Sequence, residues 1–284
     1  MKLIIDGSNL MHRSFWVSEK VNKPVINLFL GSLRKLYNDF NPTDVYVVWD
    51  ARLIKGVKNY RRQNESYKAD RDKEKWKKVY AKEKIIRKLI DTLGLYNMYP
   101  GILEADDFIY YICKNTSGNK VVVTSDQDLL QVIDNDTSVY NPIKKLVYDI
   151  NKFEETFKIS LSDFISYKAL IGDKSDNIQG IAGVGPKRAL KMLTRGVTKC
   201  LTPDENKIFK HNVDMIDLTR GIDHHPEEVS IYKYQMKHNT NIQSDYNSFL
   251  RLCEDCEIEL QYDFTCFFAN HINTAVADIL NECT

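Results

Sequence analysis

Residues 121–128 read VVVTSDQD, a short run of β-branched residues that ends in two carboxylates. Two other apolar runs end in the same way: Lys2–Ile5 stops at Asp6, and Val45–Trp49 stops at Asp50. Short apolar runs bounded by polar residues are typical of buried strands in a parallel sheet. We therefore predict three strands, each followed by an aspartate at its carboxyl end.

Helical patterns lie between these runs. Apolar residues recur at helical spacing over Pro24–Phe40, Glu83–Leu93 and Asp106–Lys114. Strands that alternate with helices indicate the α/β class, with a central, mostly parallel sheet. Beyond about residue 160 the strand pattern fades and helical patterns take over, so we predict two domains, 1–163 and 164–284.

The composition is that of a globular protein, with 28% charged and 43% hydrophobic residues among 284. No run approaches the roughly 20 apolar residues of a membrane span, and Met1–Ile5 is too short for the apolar part of a signal peptide. Six scattered cysteines favour reduced thiols in a cytosolic compartment. A zinc site at Cys253, Cys256, Cys266 and His271 is the alternative, but its spacing fits no standard framework, and buried thiols are the favoured interpretation.

Further carboxylates cluster at Glu104–Asp107, Asp126–Asp128 and Asp173–Asp176. A lone strand-end aspartate is ordinarily a turn or helix cap, but ligands of open α/β sheets bind at the strand ends, where these acids are expected to gather. The spacing of the third cluster predicts that its two aspartates share one side of a helical turn. The eight strongest candidates are Asp6, Asp50, Glu104, Asp106, Asp126, Asp128, Asp173 and Asp176.

So many carboxylates cannot share a small volume as bare anions, because each pair at ~4 Å costs several kcal/mol at an intermediate dielectric. Either cations neutralise them or some of them protonate. Oxygen ligands without His or Cys select Mg²⁺ or Mn²⁺ over Zn²⁺. Two such ions, about 3.5–4 Å apart, activate water and stabilise an in-line phosphoryl displacement. The acids therefore predict two-metal phosphodiester hydrolysis.

A basic segment, residues 52–88, holds fifteen Lys/Arg against five Asp/Glu and includes Tyr60, Tyr67, Trp76 and Tyr80. A charge run is usually a solvated helix face. This one, however, lies between two of the acidic motifs, and basic residues interleaved with aromatic ones suit the phosphates and bases of a single strand. The segment predicts nucleic-acid binding.

A glycine-rich loop, residues 180–189, precedes a helix. Gly183 and Gly185 permit tight turning and close backbone approach. The sequence places Pro186 at the first helical position, where exposed N–H groups, together with Lys187 and Arg188, predict a phosphate site. Such a site holds a duplex backbone without sequence preference.

Together these motifs resemble the flap endonuclease / 5′→3′ exonuclease family, in its phage-type form, over about residues 1–195. The quoted stretches occur in the family's order: Ile5–Asn9, Val48–Asp50, Tyr67–Arg71, Glu104–Asp107, Thr124–Asp128, Ile171–Asn177 and residues 180–189. The resemblance implies a PIN-like nuclease core over 1–163 with a basic helical arch at about 52–92. It further implies a helical region, 164–284, with a helix–three-turn–helix module at about 164–200.

The resemblance also implies roles for individual residues. Asp6, Asp50, Glu104, Asp106 and Asp107 would serve a first metal site, and Asp126 and Asp128 would lead to a second completed by Asp173 and Asp176. Lys68 and Arg71 would act at the scissile phosphate, with Asp6, Asp50 and Asp126 as catalytic carboxylates. Tyr67 would stack on the terminal base, and Arg13 would touch the nucleic-acid backbone. Gly183, Gly185, Lys187 and Arg188 would grip duplex DNA, with K⁺ at the loop.

The implied activity is a structure-specific 5′ nuclease (5′→3′ exonuclease, flap endonuclease and ribonuclease H) that removes RNA primers or flaps during DNA replication. It would use two Mg²⁺ ions, with Mn²⁺ as a substitute. It would act as a monomer, in the cytoplasm of a bacterium or a phage-infected host, on DNA and RNA–DNA hybrids with 5′ ends or flaps. Its implied partners are a single-strand-binding protein or other replication proteins, and no membrane is involved.

Two alternatives remain. A ribonuclease of the wider PIN superfamily would have few carboxylates and no glycine loop. A catalytically inactive nucleic-acid-binding protein would have lost several of the acids.

Overall fold

The computed structural model describes residues 1–51, 58–68, 73–238 and 244–268, with the backbone alone at 73–77 and 238. Its strands are β1 Lys2–Asp6, β2 Asp44–Val48, β3 Tyr96–Met98, β4 Lys120–Val123, β5 Thr137–Asn141, β6 Leu146–Tyr148, β7 Gly172–Asp173 and β8 Ile178–Gln179. Its helices are α1 Gly7–Val21, α2 Val25–Phe40, α3 Lys73–Thr92, α4 Ala105–Asn115, α5 Ile150–Phe157, α6 Phe164–Ile171, α7 Pro186–Arg195, α8 Pro203–Ile216, α9 Thr219–His224, α10 Glu228–His238 and α11 Tyr246–Asp255. Short 3₁₀ turns lie at Arg61–Gln63, Asp128–Val132, Leu161–Asp163, Val197–Cys200 and Thr265–Phe267.

The chain divides into two compact units. The first contains Met1–Trp49, Lys73–Met98 and the described residues from Tyr234 onward. The second contains the described residues of Asp50–Asp72 together with Tyr99–Lys233. These units interleave along the sequence, and the predicted boundary at 163/164 stays a prediction.

In the first unit β2 pairs in parallel with β1 on one side and with β3 on the other. The side chains of Leu3, Ile4 and Ile5 are fully buried, as expected of a parallel strand covered on both faces. Helices α1, α2 and α3 pack against one another. Trp49, directly after β2, stacks on Phe29 with ring centroids 5.6 Å apart.

In the second unit β4 and β5 are parallel, and β6 returns antiparallel to β5. Strands β7 and β8, of two residues each, pair antiparallel in a hairpin directly after α6. Helix α6 packs on α7 and α8, around a core that includes Leu170, Ile181, Met192 and Phe209. The second unit carries most of the predicted carboxylates.

The α/β class with a mostly parallel sheet is confirmed, as are the three predicted strands and the three predicted helices. Two of the helices match within a few residues of their predicted bounds, whereas α3 begins at Lys73, well before the predicted Glu83. Helix α1 was not predicted, because its apolar residues are few and it buries Gly7 and Ser14 beside Leu10 and Met11. The predicted helical turn at Asp173–Asp176 is wrong. Asp173 ends β7, and Asp176 lies in the turn that leads to β8, because Gly172, with a φ of 82°, ends α6.

The predicted arch, 52–92, is described only in part: residues 52–57 and 69–72 lie outside the described residues, and the arch stays a prediction. Cys253, Cys256 and Cys266 are free thiols, and His271 lies outside the described residues. Burial raises the pKa of the Cys253 thiol to about 11. No helix in the described part of the chain is long and apolar enough to cross a bilayer.

Candidate active site

Arg61, whose side chain is 2% exposed, anchors the segment 58–68 to the rest of the second unit. Its guanidinium donates to both oxygens of Asp107, at 2.7 and 2.8 Å, and to the carbonyl of Met215 at 2.9 Å. Burial disfavours the charged guanidinium, but Asp107 outweighs this and raises the pKa of Arg61 well above its usual value. The pair fixes the position of the residues that follow, including Lys68.

Lys68 lies between two carboxylates from different elements. Its Nζ is 2.9 Å from Oε2 of Glu104, the N-cap residue of α4, and 3.6 Å from Oδ2 of Asp176, in the β7–β8 turn. Tyr67 donates its hydroxyl to the same two oxygens, at 2.8 and 3.1 Å. Burial opposes ionisation of Glu104, but Lys68 and Arg61 outweigh it and hold the pKa of Glu104 well below its usual value.

Lys168, on α6, bridges a second pair of carboxylates. Its Nζ donates to Oδ1 of Asp128 and, at 2.5 Å, to Oδ2 of Asp173. The three side chains are 9%, 13% and 11% exposed, so the ammonium group is the main counter-charge within a buried cluster. Burial lowers the pKa of Lys168, but the two carboxylates outweigh it and raise that pKa above its usual value.

Asp176 connects the two clusters electrostatically. Its pKa is raised, first by burial and then by the negative charges of Glu104, Asp128 and Asp173, with Lys68 acting in the opposite direction. The four acids, contributed by α4, the 128–132 turn, β7 and the β7–β8 turn, therefore lie close enough to influence one another.

Within the described residues no three His, Cys, Asp or Glu side chains already stand in a metal-binding arrangement. The carboxylate oxygens instead converge on the ammonium groups of Lys68 and Lys168. Each ammonium marks a place where two acidic oxygens meet on one cation, which is the donor set that a hard divalent ion uses.

Residues 1–158 match the family described as 5′-3′ exonuclease, N-terminal resolvase-like domain. The chain belongs to the 5′-3′ exonuclease family. The predicted enzyme class, a nuclease that hydrolyses phosphodiester bonds at 5′ ends, is confirmed at the level of this family.

Relatives of this family member are named 5′-3′ exonucleases. A 5′-3′ exonuclease of Mycoplasmopsis pulmonis is 32% identical over 198 residues, which cover 67% of this chain and 65% of that protein. One from Halalkalibacterium halodurans is 31% identical over 211 residues, covering 67% of this chain and 68% of that protein. The chain thus spans about two thirds of the length of these relatives.

A solved structure with the same fold is the flap endonuclease of bacteriophage T5, in a complex with DNA and metal ions. It aligns with a TM-score of 0.70 at 20% identity, over 84% of this chain and 99% of that one.

The remaining acids differ in their surroundings. Both oxygens of Asp107 are taken by Arg61, and Oδ2 also accepts from the Glu104 N–H at 3.1 Å. In this structure Asp107 therefore anchors Arg61, and the metal-ligand role that the resemblance implied stays a prediction. Asp106, the residue before it, is half-buried. Asp126 is exposed and accepts the N–H of Asp128 at 2.9 Å.

Two strand-end aspartates accept backbone N–H groups at helix starts, and Asp6 takes the N-cap role that was the ordinary alternative. Asp6, in the first unit, ends β1 and accepts the Asn9 N–H at 2.9 Å as the N-cap of α1. Asp50, in the second unit, accepts the N–H of Ala105, the first residue of α4, at 3.0 Å.

The nucleic-acid residues are placed as follows. Arg13 is half-buried on α1 in the first unit, and Arg71 lies outside the described residues. Tyr67 is 6% exposed, with its hydroxyl bound to two carboxylates, so its ring has no open face for a terminal base. In this structure the Tyr67 hydroxyl contacts Glu104 and Asp176, and its predicted stacking on a terminal base stays a prediction.

The glycine loop presents its polar side outward. Ile181 and Val184 are buried, whereas Gly183, Gly185, Lys187 and Arg188 are exposed. Gly183 has a φ of 70°, in the left-handed region that glycine adopts without strain. Gly185 is the N-cap of α7, and Pro186 is at its first turn, as predicted.

No sequence pattern singled out two functional residues, Arg61 and Lys168. Arg61 is one of fifteen bases in the segment 52–88, and only its partner 46 residues away distinguishes it. Lys168 lies in the helical stretch FISYKALI, five residues before Asp173. A lysine in an otherwise apolar helix next to an acidic motif is the signal that could have pointed to it, because a buried lysine requires a counter-charge.

Proposed function

We propose that this chain is a metal-dependent, structure-specific 5′ nuclease that hydrolyses phosphodiester bonds of DNA and RNA–DNA strands near a 5′ end. The observation that carries the proposal is the gathering of Glu104, Asp128, Asp173 and Asp176 around two lysine ammonium groups in the second unit. Membership of the 5′-3′ exonuclease family supports the same activity.

These four acids suit a divalent ion. Asp128 and Asp173 direct oxygens at one cation, and Glu104 and Asp176 at another, and oxygen-only donors favour Mg²⁺, with Mn²⁺ as a substitute. A divalent ion held there would lower the pKa of a bound water and offset charge on the phosphoryl oxygens. The metal ions in the complex of the T5 flap endonuclease support metal binding here, and we propose two such ions.

The other predicted ligands fall into three groups. Asp126 is exposed and lies two residues before Asp128, and Asp106 is half-buried and lies two residues after Glu104. Both complete the proposed ligand set. Asp6 and Asp50 stay candidates, although each accepts a backbone N–H. Asp107 is excluded from our proposal because Arg61 takes both of its oxygens.

Lys68 is the proposed electrostatic catalyst. Its ammonium group is held beside Glu104 and Asp176, where a phosphate bound by the same ions would lie within its reach. A cation beside the phosphate stabilises the charge that develops in phosphoryl transfer. Arg71, three residues later, is proposed to share this role, and Arg13 to contact the nucleic-acid backbone.

The glycine loop is the proposed duplex contact, within a helix–three-turn–helix module formed by α6, the loop and α7. Its exposed Lys187 and Arg188, with the N–H groups at the start of α7, suit backbone phosphates of a duplex of any base sequence. A K⁺ ion at the loop belongs to the same proposal. We further propose that the chain acts as a monomer in primer or flap removal, with single-strand-binding and other replication proteins, in a bacterial or phage-infected cytoplasm.

The test is digestion of 5′-labelled flap, nicked and RNA–DNA substrates with and without Mg²⁺, with product lengths compared. We expect cleavage near the 5′ end that requires Mg²⁺ and is abolished in Asp173→Asn, whose DNA affinity in a chelator stays near that of the wild type. Cleavage of single-stranded RNA irrespective of a 5′ structure would favour a PIN ribonuclease instead. DNA binding without any cleavage would favour an inactive binding protein.

A further inference from the structure

Lys168 uses the same carboxylate oxygens that the proposed function gives to a divalent ion. Its Nζ donates to Oδ1 of Asp128 and to Oδ2 of Asp173, from a side chain that is 9% exposed. These acids come from the 128–132 turn and from β7, so the lysine joins two separate chain segments as a metal ion would.

We propose that Lys168 is a built-in competitor for the metal site: a divalent ion that binds Asp128 and Asp173 must displace its ammonium group. An ion coordinated by these oxygens and an ammonium bonded to them would be two cations in contact, which repel strongly in a buried cluster. The inference rests on the metal part of the proposed function and adds that the chain itself lowers the affinity of the site.

The exchange is a change of partners with no change of covalent bonds. The two hydrogen bonds from Nζ break, the two oxygens coordinate the ion, and the ammonium keeps its protons. The aromatic ring of Phe164, one turn earlier on α6, lies with its centroid 5.9 Å from Nζ and offers the displaced cation a face.

The same contacts give the lysine a positive role. In its bonded position Lys168 offsets the repulsion between Asp128 and Asp173 and holds their oxygens in one place. The two acids are therefore already positioned before the ion binds, but the ammonium group of Lys168 has to leave when it does. Because binding and displacement are linked, removal of the lysine has to change metal affinity and stability in opposite directions.

The experiment titrates Mn²⁺ into the purified full chain by calorimetry, without nucleic acid, for the wild type and for Lys168→Met. We expect the dissociation constant of the variant to be lower by about tenfold. The control is Lys174→Met, which removes the same charge from the exposed residue next to Asp173 and leaves the contacts of Lys168 in place. A gain confined to Lys168→Met supports displacement; an equal gain in both variants, which indicates a general charge effect, overturns it.

Thermal unfolding supplies the second readout. In a chelator Lys168→Met is expected to melt below the wild type, because Asp128 and Asp173 lose their shared counter-charge, and excess Mn²⁺ is expected to remove the difference. Lys168→Gln, a smaller change, repeats both measurements if the Met variant does not fold. Unchanged or weaker Mn²⁺ affinity in the folded variant refutes the inference, whereas absence of Mn²⁺ binding to the wild type refutes the metal part of the proposed function.

Discussion

Arg61 and Asp107 form a two-pronged ion pair in the interior of the second unit, with N–O distances of 2.7 and 2.8 Å and almost no exposed surface. The pair joins the segment that carries Lys68 to the first turn of α4, whose N-cap residue is Glu104. The salt bridge therefore acts on the geometry of the candidate site without belonging to it.

Asp107→Asn is expected to destabilise the protein by about 3–5 kcal/mol, because the guanidinium of Arg61 would stay buried without a counter-charge. The measurement is the free energy of unfolding in urea. The control is Asp134→Asn, which breaks a partly exposed pair with Lys114 at 2.6 Å and is expected to cost less than about 1 kcal/mol. Equal losses in the two variants would contradict the anchoring role.

Gly221→Ala tests how tightly α9 is packed on the same pair. A Cβ at Gly221 would lie 2.5 Å from Oδ1 of Asp107. Alanine ordinarily stabilises a helical glycine position by up to about 1 kcal/mol, but here overpacking is expected to reverse the sign and to cost about 1–3 kcal/mol. The control is Gly185→Ala, where the added Cβ meets no described atom within 4 Å. A melting temperature at or above that of the wild type for Gly221→Ala would refute the prediction.

Lys68→Ala is expected to slow single-turnover cleavage by about a hundredfold or more, because a fixed cation is lost from the developing charge. DNA affinity in a chelator is expected to change far less. Lys68→Arg keeps the charge and is expected to recover part of the rate. A defect seen in affinity alone would assign Lys68 to binding and not to the chemical step.

Asn177 is predicted to position Lys68 from the β7–β8 turn. Its Nδ2 donates to the carbonyl of Ser66 at 2.9 Å, and Lys68 N donates to the carbonyl of Asp176 at 3.3 Å. Asn177 has a φ of 59°, so Asn177→Gly keeps the backbone and removes the amide. A small misplacement of a catalytic group costs up to about a hundredfold in rate, and we expect a loss of about tenfold with little change in affinity.

A double-mutant cycle is the check on this mechanism. If Asn177 acts through Lys68, the loss in Asn177→Gly combined with Lys68→Ala is expected to be smaller than the product of the two single losses. Independent, multiplicative losses would indicate that Asn177 acts elsewhere.

The glycine loop is expected to contribute charge-based binding. Replacing Lys187 and Arg188 by alanine is expected to weaken binding to any duplex sequence and to reduce the slope of log affinity against log salt by about two. Replacing half-buried Lys152 of α5 and exposed Lys207 of α8 by alanine serves as the control, with an unchanged slope. A slope that falls equally in both variants would indicate diffuse attraction in place of a phosphate site.

Much of the fold follows from local sequence patterns. Residues 121–123 are contiguous β-branched residues because β4 is buried throughout, and such runs are legible without knowledge of their partners. The acids Glu104, Asp128 and Asp173 are likewise predicted from local sequence, because each belongs to a dense cluster of carboxylates.

Features that depend on partners far away in the sequence could not be predicted from local sequence patterns. Lys168 meets Asp128 from 40 residues away, and Tyr67 meets Glu104 from 37. In sequence Tyr67 is one aromatic residue among bases, which favoured a stacking role, yet in the fold its hydroxyl is bound to two acids. The direction of a side chain is set by tertiary packing, and periodicity does not encode it.

The first unit is assembled from the beginning and the end of the chain. Asn27 and Arg34 of α2 donate to the carbonyls of Glu259 and Asp263, and Asp245 N donates to the carbonyl of Thr92 at the end of α3. During synthesis the contacts of α2 thus form only after more than two hundred further residues have been made. The second unit is continuous from Tyr99 to Lys233 apart from one short segment, so its contacts can form sooner. Because late loop closure slows folding, the lysines and acids of the candidate site in the second unit are expected to be organised on the ribosome before the first unit completes its core.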